Sequence, residues 1–284
     1  MRLVSFSTED GLTAGVQIGE ELVPVSALDA PARTVRGLLE ALDTDGLREL
    51  GRRAGEASER LALADVALHA PVTDPQKIVC LGLNYRDHAE ETGQSIPTAP
   101  MWFAKFANSL LGSGGEILLP AAYPEHVDYE AELALVIGRP AKNVSAADAL
   151  SYIAGAMPFN DVSARDLQMQ NPLWTSGKAI DTFAPCGPAL VTLDEIDDLG
   201  ALGLRTRVNG EVLQEGTTAN LIFGPAEVVA WLSRTITLLP GDIVATGTPA
   251  GVGAAQGRFL RDGDTVEVEV DGLGAVVNAV RGES

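Results

Sequence analysis

The sequence predicts an α+β fold that is mainly β, with a small α+β N-terminal domain over residues 1–72 and a larger β-rich domain over residues 73–284. Three observations predict this arrangement. Apolar and polar residues alternate in many short stretches, as they do in strands with one buried face. Apolar residues recur at helical spacing mainly within residues 33–64. A turn-forming stretch, APVTDPQ, separates the two regions.

The N-terminal region begins with three predicted strands, from Arg2 to Ser7, from Leu12 to Ile18 and from Glu21 to Val25. Thr34 then precedes the apolar pattern VRGLLEAL, which predicts a helix with Thr34 as its N-cap. The pattern LRELGRRAGEASERLALA predicts that helical structure continues to residue 64.

The larger region carries mainly strand signals, including KIVCLGLN, DYEAELALVIG, YIAGAMPFND, DIVATG and DTVEVEV. Asn209-Gly210 predicts a tight hairpin turn, because this dipeptide tolerates the positive φ angles of such turns. Helices are predicted for SAADALSYI, with Ser145 as N-cap, and for GPAEVVAWLSRTI, with Pro225 in its first turn.

Composition and charge exclude several classes of function. The formal net charge of −19 disfavours nucleic acids and anionic membranes, which require a basic surface. No apolar run approaches the ~18 residues of a membrane span. Cys80 and Cys186 are far apart and belong to no CxxC motif, so we expect buried thiols rather than a disulfide or a zinc site. Without an apolar signal core, the sequence predicts a cytoplasmic protein.

Three acids stand close together in DYEAEL. Residues two apart on a strand point the same way, so Glu130 and Glu132 should project from one face, and Asp128 could join them. Adjacent like charges destabilise a strand unless something neutralises them. Hard oxygen ligands suit Mg²⁺, Mn²⁺ or Ca²⁺. The alternative is an acidic strand edge that faces solvent.

Asp161 follows an apolar strand pattern and is a candidate third metal ligand at the strand end. The alternative is an N-cap for a short following helix. His88 and Glu91 are three residues apart, which places them on one face of a helical turn. A carboxylate that hydrogen-bonds to imidazole makes a general base, although a single exposed histidine near acids is common.

Lys178 lies among small and aromatic residues, where a lysine can bind a carboxylate or stabilise an oxyanion. A surface lysine is the alternative, and Lys105 and Arg165 raise the same question. The segment Gly247–Gly253 is rich in glycine but lacks the spacing and βαβ context of nucleotide-binding loops. We expect it to form a turn that brings backbone and the Thr248 hydroxyl close to a ligand.

In order, these segments resemble the fumarylacetoacetate hydrolase family from about Lys77 to the C-terminus. The motifs that carry the resemblance are LGLNYRDHAEE, FAKFANSLLG, HVDYEAELALVIG, NDVSARDLQ, GKAIDTFAPCGP, VNGEVLQEGTT and LLPGDIVATGTPAGVG. The resemblance implies the mixed β-sandwich or roll of the family's C-terminal domain, with a small variable N-terminal domain. Family members are commonly dimers, so it also implies a homodimer.

The resemblance further implies a role for each candidate residue. Glu130, Glu132 and Asp161 would hold Mg²⁺ or Mn²⁺, and a His88–Glu91 dyad on a lid would act with Lys178 in catalysis. Substrate oxygens would be contacted by four further residues: Arg86, Lys105, Gln168 and Thr248. One departure from the family pattern is visible, because Ala156–Phe159 stand where family members often carry Gly-Tyr-Thr. This departure predicts an altered wall of the substrate site.

The expected reaction is hydrolytic cleavage of a C–C bond in an acylpyruvate-like 2,4-dioxo acid, through an enolate bound to the metal. His88 would activate water and Lys178 would stabilise the oxyanion. One alternative is decarboxylation of oxaloacetate, or isomerisation or hydration of a 2-hydroxymuconate-type acid, at the same metal. A second alternative is a non-catalytic protein that binds oxo acids.

Overall fold

The computed structural model describes residues 1–283. The N-terminal region forms five strands and two helices, and the prediction of a mainly β, α+β fold is confirmed. Its elements are β1 (Arg2–Thr8), β2 (Gly11–Ile18), β3 (Glu21–Pro24), α1 (Val35–Ala41), α2 (Thr44–Glu56), β4 (Leu61–Ala62) and β5 (Leu68–His69).

Two local predictions for this region can be compared with the structure. The Thr34 side chain accepts a hydrogen bond from the Gly37 amide, so the predicted N-cap of α1 is confirmed. The prediction that helical structure reaches residue 64 is wrong, since α2 ends at Glu56. The chain turns there because Leu61 and Ala62 pair with β3 instead.

The larger region contains fifteen further strands and five helices among the described residues. The strands are β6 (Ile78–Gly82), β7 (Met101–Lys105), β8 (Leu110–Leu111), β9 (Glu116–Leu119), β10 (Val127–Asp128), β11 (Ala131–Ile137), β12 (Ile153–Asn160), β13 (Ser163–Ala164), β14 (Ala184–Pro185), β15 (Leu190–Thr192), β16 (Gly203–Val208), β17 (Glu211–Thr217), β18 (Ile243–Ala245), β19 (Thr265–Val270) and β20 (Gly274–Gly282). The helices are α3 (Arg86–Glu91), α4 (Arg165–Gln168), α5 (Thr175–Lys178), α6 (Pro225–Ser233) and α7 (Gly253–Gln256).

The turn between β16 and β17 is the predicted one, because Asn209 and Gly210 both have positive φ, at 52° and 82°. Pro225 begins α6 as expected. The helix predicted after Ser145 is wrong. Only a 3₁₀ turn forms, at Ala149–Tyr152, and the chain passes directly from it into β12.

Two large sheets organise the molecule. One follows the order β4-β3-β2-β1-β15-β12-β11-β18-β6-β7, with β5 also paired to β1, and the other follows β17-β16-β19-β20-β9. Strand β1 pairs with β15, so the N-terminal strands and the strands of the larger region share one sheet. The predicted boundary at residues 72–73 stays a prediction.

Strand β11 shows how the core is built, because its side chains alternate between two apolar clusters. Leu133 and Leu135 pack toward α6 and the five-stranded sheet. Ala134 and Val136 face the opposite cluster, which includes the N-terminal helices. A strand buried on both faces keeps its position, so it can hold charged residues at its end in a fixed place. Both cysteines are buried free thiols, as predicted.

Within residues 1–283, no helix combines the length and apolar character needed to cross a membrane.

Candidate active site and metal centre

Three acids meet where β11 begins and β12 ends. The strands are antiparallel, and Ala131 pairs with Asn160, so Glu130 and Glu132 come next to Asp161. One carboxylate oxygen from each acid lies within 4.8 Å of the others. All three side chains are buried, with exposures of 6%, 1% and 0%. The structure therefore brings together the three residues predicted as metal ligands. Asp161 does not cap a helix.

Two buried lysines neutralise part of this charge. Lys178 Nζ lies 2.7 Å from Glu130 Oε2 and 2.7 Å from Asp161 Oδ2. Lys105 Nζ lies 2.6 Å from Asp161 Oδ1. Burial opposes the charge of Lys178, but Asp161 and Glu130 outweigh it and raise its pKa. For Glu130, burial acts to raise the pKa, whereas Lys178 and Arg165 lower it to about 2.

Glu132 differs from the other two acids. It forms no ion pair with any residue in 1–283, and Gly247 N donates its hydrogen bond, at 2.8 Å, to Oε2. Burial, Asp161 and Glu130 together hold the pKa of Glu132 well above its usual range. A buried carboxylate without a cation is costly. The triad therefore fits a divalent ion, since it offers hard oxygen donors and one acid whose charge is not compensated.

Asp128 does not join the triad, so that expectation is wrong. Its carboxylate accepts the amide hydrogen bonds of Tyr129, Gly253 and Ala254. Arg165 Nη2 lies 2.6 Å from Asp128 Oδ2 and 2.7 Å from Glu130 Oε1. These donors hold the carboxylate away from the three other acids. Sequence reasoning missed this contact, although it had singled out both Asp128 and Arg165.

His88 and Glu91 form the predicted pair in α3. His88 Nδ1 lies 3.1 Å from Glu91 Oε2, and Gly251 N donates to Glu91 Oε1 at 2.8 Å. A carboxylate only accepts hydrogen bonds, so in the neutral imidazole this contact places the proton on Nδ1 and makes Nε2 the acceptor. The backbone amides of the glycine-rich segment thus donate hydrogen bonds to the carboxylates of Glu132, Glu91 and Asp128. This agrees with the expectation that the segment is not a nucleotide-binding loop.

A cavity of about 460 Å³ is lined by the His88–Glu91 pair and by Glu130, whereas Glu132 and Asp161 lie outside its lining. Phe103 and Trp174 form an apolar wall and pack edge to face, with ring centroids 5.6 Å apart. This wall was not anticipated from the sequence. The cavity is lined by Leu81, Gly82, Leu83, His88, Glu91, Thr92, Gln94, Phe103, Glu130, Arg165, Gln168, Met169, Trp174, Lys178, Thr248, Val252, Ala254 and Ala255.

Two of the four predicted substrate-binding residues line the cavity. Gln168 accepts a hydrogen bond from Arg165 Nη1 at 2.8 Å, and the Thr248 hydroxyl accepts one from Gln214 Nε2 at 2.9 Å. Arg86 does not reach the cavity, because its guanidinium donates to the carbonyl of Leu221 at 2.6 Å. Lys105 is also absent from the lining, since its ammonium is bound to Asp161 and to the Val162 carbonyl.

The expectation of an altered wall at residues 156–159 is wrong. Ala156, Met157 and Phe159 have no exposed surface, and their side chains belong to the apolar clusters on the two faces of the sheet. Alternation along β12 directs them into the core instead of the cavity. The departure from the family pattern at these positions therefore concerns packing.

The family model described as fumarylacetoacetate (FAA) hydrolase C-terminal matches residues 77–281. The mitochondrial oxaloacetate tautomerase of Rattus norvegicus is 42% identical over 99% of this chain and 91% of its own length. The solved structure of 5-carboxymethyl-2-hydroxymuconate delta-isomerase from Mycobacterium smegmatis is 37% identical, and the match covers all of both chains with a TM-score of 0.80.

A second solved structure is that of maleylpyruvate hydrolase from Sphingobium sp. SYK-6 in complex with manganese(II) ion and pyruvate. It is 32% identical, covers all of both chains and has a TM-score of 0.84. The predicted cytoplasmic location is wrong on this comparison, since the similar tautomerase is mitochondrial, as is its counterpart in Homo sapiens at 41% identity over 99% of this chain and 91% of its own length. The expectation of a cytoplasmic protein rested on the lack of an apolar signal core. Mitochondrial targeting segments are amphipathic, so that criterion does not detect them.

The family model matches residues 77–281, and relatives and solved structures match 99% or more of the chain. The chain belongs to the fumarylacetoacetate hydrolase family.

Proposed function

We propose that this protein is a divalent-metal-dependent enzyme that moves a proton at C3 of a small 2-oxo dicarboxylic acid, interconverting its enol and keto forms. The observation that carries the proposal is a buried acid triad with the uncompensated Glu132, whose member Glu130 lines the same cavity as His88 and Glu91. Oxaloacetate is the proposed substrate because relatives that are 42% and 41% identical are oxaloacetate tautomerases.

The metal would be held by Glu130, Glu132 and Asp161, and we propose Mg²⁺, with Mn²⁺ or Ca²⁺ as alternatives. When bound, such an ion supplies Lewis-acid chemistry that polarises a 2-oxo group and favours enolisation. Charge balance supports this. Counted as ionised, four buried acids face two buried cations and one partly buried cation, and a divalent ion would leave one positive charge for a substrate carboxylate. The acids are Asp128, Glu130, Glu132 and Asp161, and the cations are Lys105, Lys178 and Arg165.

Three side chains would orient the substrate. Gln168 and Thr248 line the cavity, where their polar groups can bind substrate oxygens. The Lys178 ammonium, which Glu130 and Asp161 keep charged, would stabilise negative charge on the enolate oxygen. The Phe103 ring centroid lies 5.1 Å from the Lys178 ammonium, and the apolar wall that Phe103 forms with Trp174 would limit the access of water to this part of the cavity.

His88 would move the proton. Its Nδ1 is held by Glu91, which leaves Nε2 as the base that removes a proton from one substrate position and returns it to another. In the direction of ketonisation, the enol O–H bond breaks and a C3–H bond forms, so no water is consumed. Glu91 stabilises the imidazolium between the two transfers.

Hydrolysis of an acylpyruvate-like acid is the second candidate. It is favoured by the size of the cavity, about 460 Å³, which has room for an acyl group beyond the 2-oxo acid, and by a similar maleylpyruvate hydrolase. The same His88–Glu91 pair would then activate water. Decarboxylation needs no attacking water, so it would depend less on His88 than on Glu130.

The experiment starts with freshly dissolved enol-oxaloacetate and the purified protein with Mg²⁺, and follows loss of the enol's ultraviolet absorbance. Malate dehydrogenase then measures keto-oxaloacetate, and lactate dehydrogenase measures pyruvate. Tautomerisation predicts faster formation of keto-oxaloacetate without extra pyruvate, whereas decarboxylation predicts pyruvate. An unchanged enol decay, with cleavage of a panel of acylpyruvates, would replace the first candidate with the second.

Two other expectations stay predictions. A protein that only binds oxo acids would bind oxalate but turn over none of these substrates; the presence of His88, Glu91 and Lys178 argues against this, since chelation requires none of them. The homodimer implied by the family resemblance can be tested by light scattering of the purified protein.

A further inference from the structure

The Asp128 carboxylate is completely buried and binds five donors, although it belongs to neither the acid triad nor the cavity wall. Tyr129 N and Gly253 N donate to Oδ1 at 2.8 and 2.7 Å, and Ala254 N donates to Oδ2 at 2.9 Å. Arg165 Nε and Nη2 approach the same Oδ2 at 2.8 and 2.6 Å. Backbone amides therefore fix the carboxylate, and the carboxylate fixes one edge of the guanidinium.

The other edge of the guanidinium faces the cavity. Arg165 Nη1 donates to Gln168 Oε1 at 2.8 Å. Because a guanidinium only donates hydrogen bonds, this contact assigns the amide oxygen of Gln168 to the side that faces Arg165. The Gln168 Nε2 group then has no acceptor among residues 1–283, and Gln168 lines the cavity. A glutamine held in this way presents N–H donors to the cavity, and these match the carboxylate and oxo oxygens of a 2-oxo acid.

We infer that Asp128 is a positioning residue for substrate binding. It holds Arg165 so that the guanidinium orients Gln168, and Gln168 Nε2 donates a hydrogen bond to a substrate oxygen. The inference rests on the proposed 2-oxo acid site, but not on the choice between tautomerisation, decarboxylation and hydrolysis. Asp128→Asn removes the charge that Arg165 needs and turns an N–H group toward existing donors, so Arg165 moves toward Glu130 and releases Gln168.

The test measures binding of oxalate, an unreactive stand-in for a 2-oxo acid, to the Mg²⁺-saturated protein by calorimetry. Asp128→Asn should weaken oxalate about tenfold, the loss expected for one hydrogen bond to a charged group. Gln168→Leu should weaken it by a similar factor. The double variant should bind no more weakly than Gln168→Leu alone, because both substitutions remove the same contact.

Asp242→Asn is the matched control. Asp242 is 1% exposed, accepts hydrogen bonds from the amides of Lys77 and Leu239, and pairs with Lys77 Nζ at 2.8 Å. It lies outside the cavity lining. Asp242→Asn should lower the free energy of unfolding while leaving oxalate affinity unchanged. The comparison separates the positioning role of Asp128 from a general loss of structure.

Two results would overturn the inference. One is equal oxalate affinity in wild type and Asp128→Asn. The other is a double variant whose loss of oxalate binding free energy equals the sum of the losses in Asp128→Asn and Gln168→Leu. If wild-type protein binds no oxalate, the proposed 2-oxo acid site fails. The inference is then decided by crystal structures of the wild type and Asp128→Asn. Loss of the contact between Arg165 Nη1 and Gln168 Oε1 in the variant supports the positioning role, and its persistence overturns it.

Discussion

Lys105 Nζ lies 2.6 Å from Asp161 Oδ1, and neither residue is among those that line the cavity. The lysine approaches one oxygen of Asp161, while Lys178 approaches the other at 2.7 Å. Burial lowers the pKa of Lys105, and Asp161 acts in the opposite direction. The contact places Lys105 as a partner of a proposed metal ligand, where the sequence had suggested a partner of the substrate.

Lys105→Met should therefore destabilise the metal-free protein by about 3–5 kcal/mol, the cost of breaking a buried ion pair. Added Mg²⁺ should stabilise this variant more than wild type, because the ion replaces the missing positive charge. Urea unfolding with EDTA and with Mg²⁺ measures both effects. Lys142→Met, at an exposed lysine, is the control and should change neither. A variant with wild-type stability but weaker oxalate binding would return Lys105 to a substrate role.

The stability of the protein should depend on pH through Glu132. Its folded-state pKa is raised above the usual 4.5, so the protonated form is stabilised by folding. In EDTA, that contribution is present below the usual pKa and is lost as pH rises through the raised value. Metal binding requires the ionised form, so stabilisation by Mg²⁺ should grow with pH.

Melting temperatures from about pH 5 to about pH 8, with EDTA or Mg²⁺, measure this dependence. Glu132→Gln should flatten the pH profile in EDTA and abolish the effect of Mg²⁺. Glu90→Gln, at an exposed acid outside the triad, should leave both profiles unchanged. A Mg²⁺ effect that persists in Glu132→Gln would remove Glu132 from the proposed metal site.

Glu91→Gln should lower turnover by about a hundredfold or more, because glutamine cannot stabilise the His88 imidazolium. The amide introduced by this substitution can also donate to Nδ1, which would place the imidazole proton on Nε2, where the base must be free. Calorimetry should show wild-type affinity for Mg²⁺, since the pair lies outside the acid triad. Glu90→Gln serves again as the control. Turnover close to wild type would point to a reaction that needs no base at this position.

The proposed domain boundary can be tested by expressing residues 73–284 alone. We expect this fragment not to fold cooperatively, because Leu3 of β1 pairs with Leu190 of β15 and both belong to one of the apolar clusters of the core. Removing the N-terminal strands would expose β15 and a large apolar surface. Thermal unfolding by circular dichroism provides the measurement. A cooperative transition in the fragment would show that residues 73–284 are an independent domain.

Features that depend on local pattern could be predicted from the sequence. The alternation of side chains along a strand placed Glu130 and Glu132 on the same side, and the turn chemistry of Asn209-Gly210 determined a hairpin. Thr34 capped its helix because the capping contact lies within three residues. His88 and Glu91 met for the same reason, since one helical turn fixes their separation.

Contacts across the chain were decided only by the tertiary structure. The pairing of β11 with β12 brings Asp161 to the two glutamates, and Asp128 turns instead to Arg165 and the amides of Gly253 and Ala254. Lys105 and Arg86 are bound to other groups, so neither lines the cavity. Local sequence determines the direction of a side chain within its own element. Strand pairing and loop closure, which depend on distant residues, determine what that side chain meets.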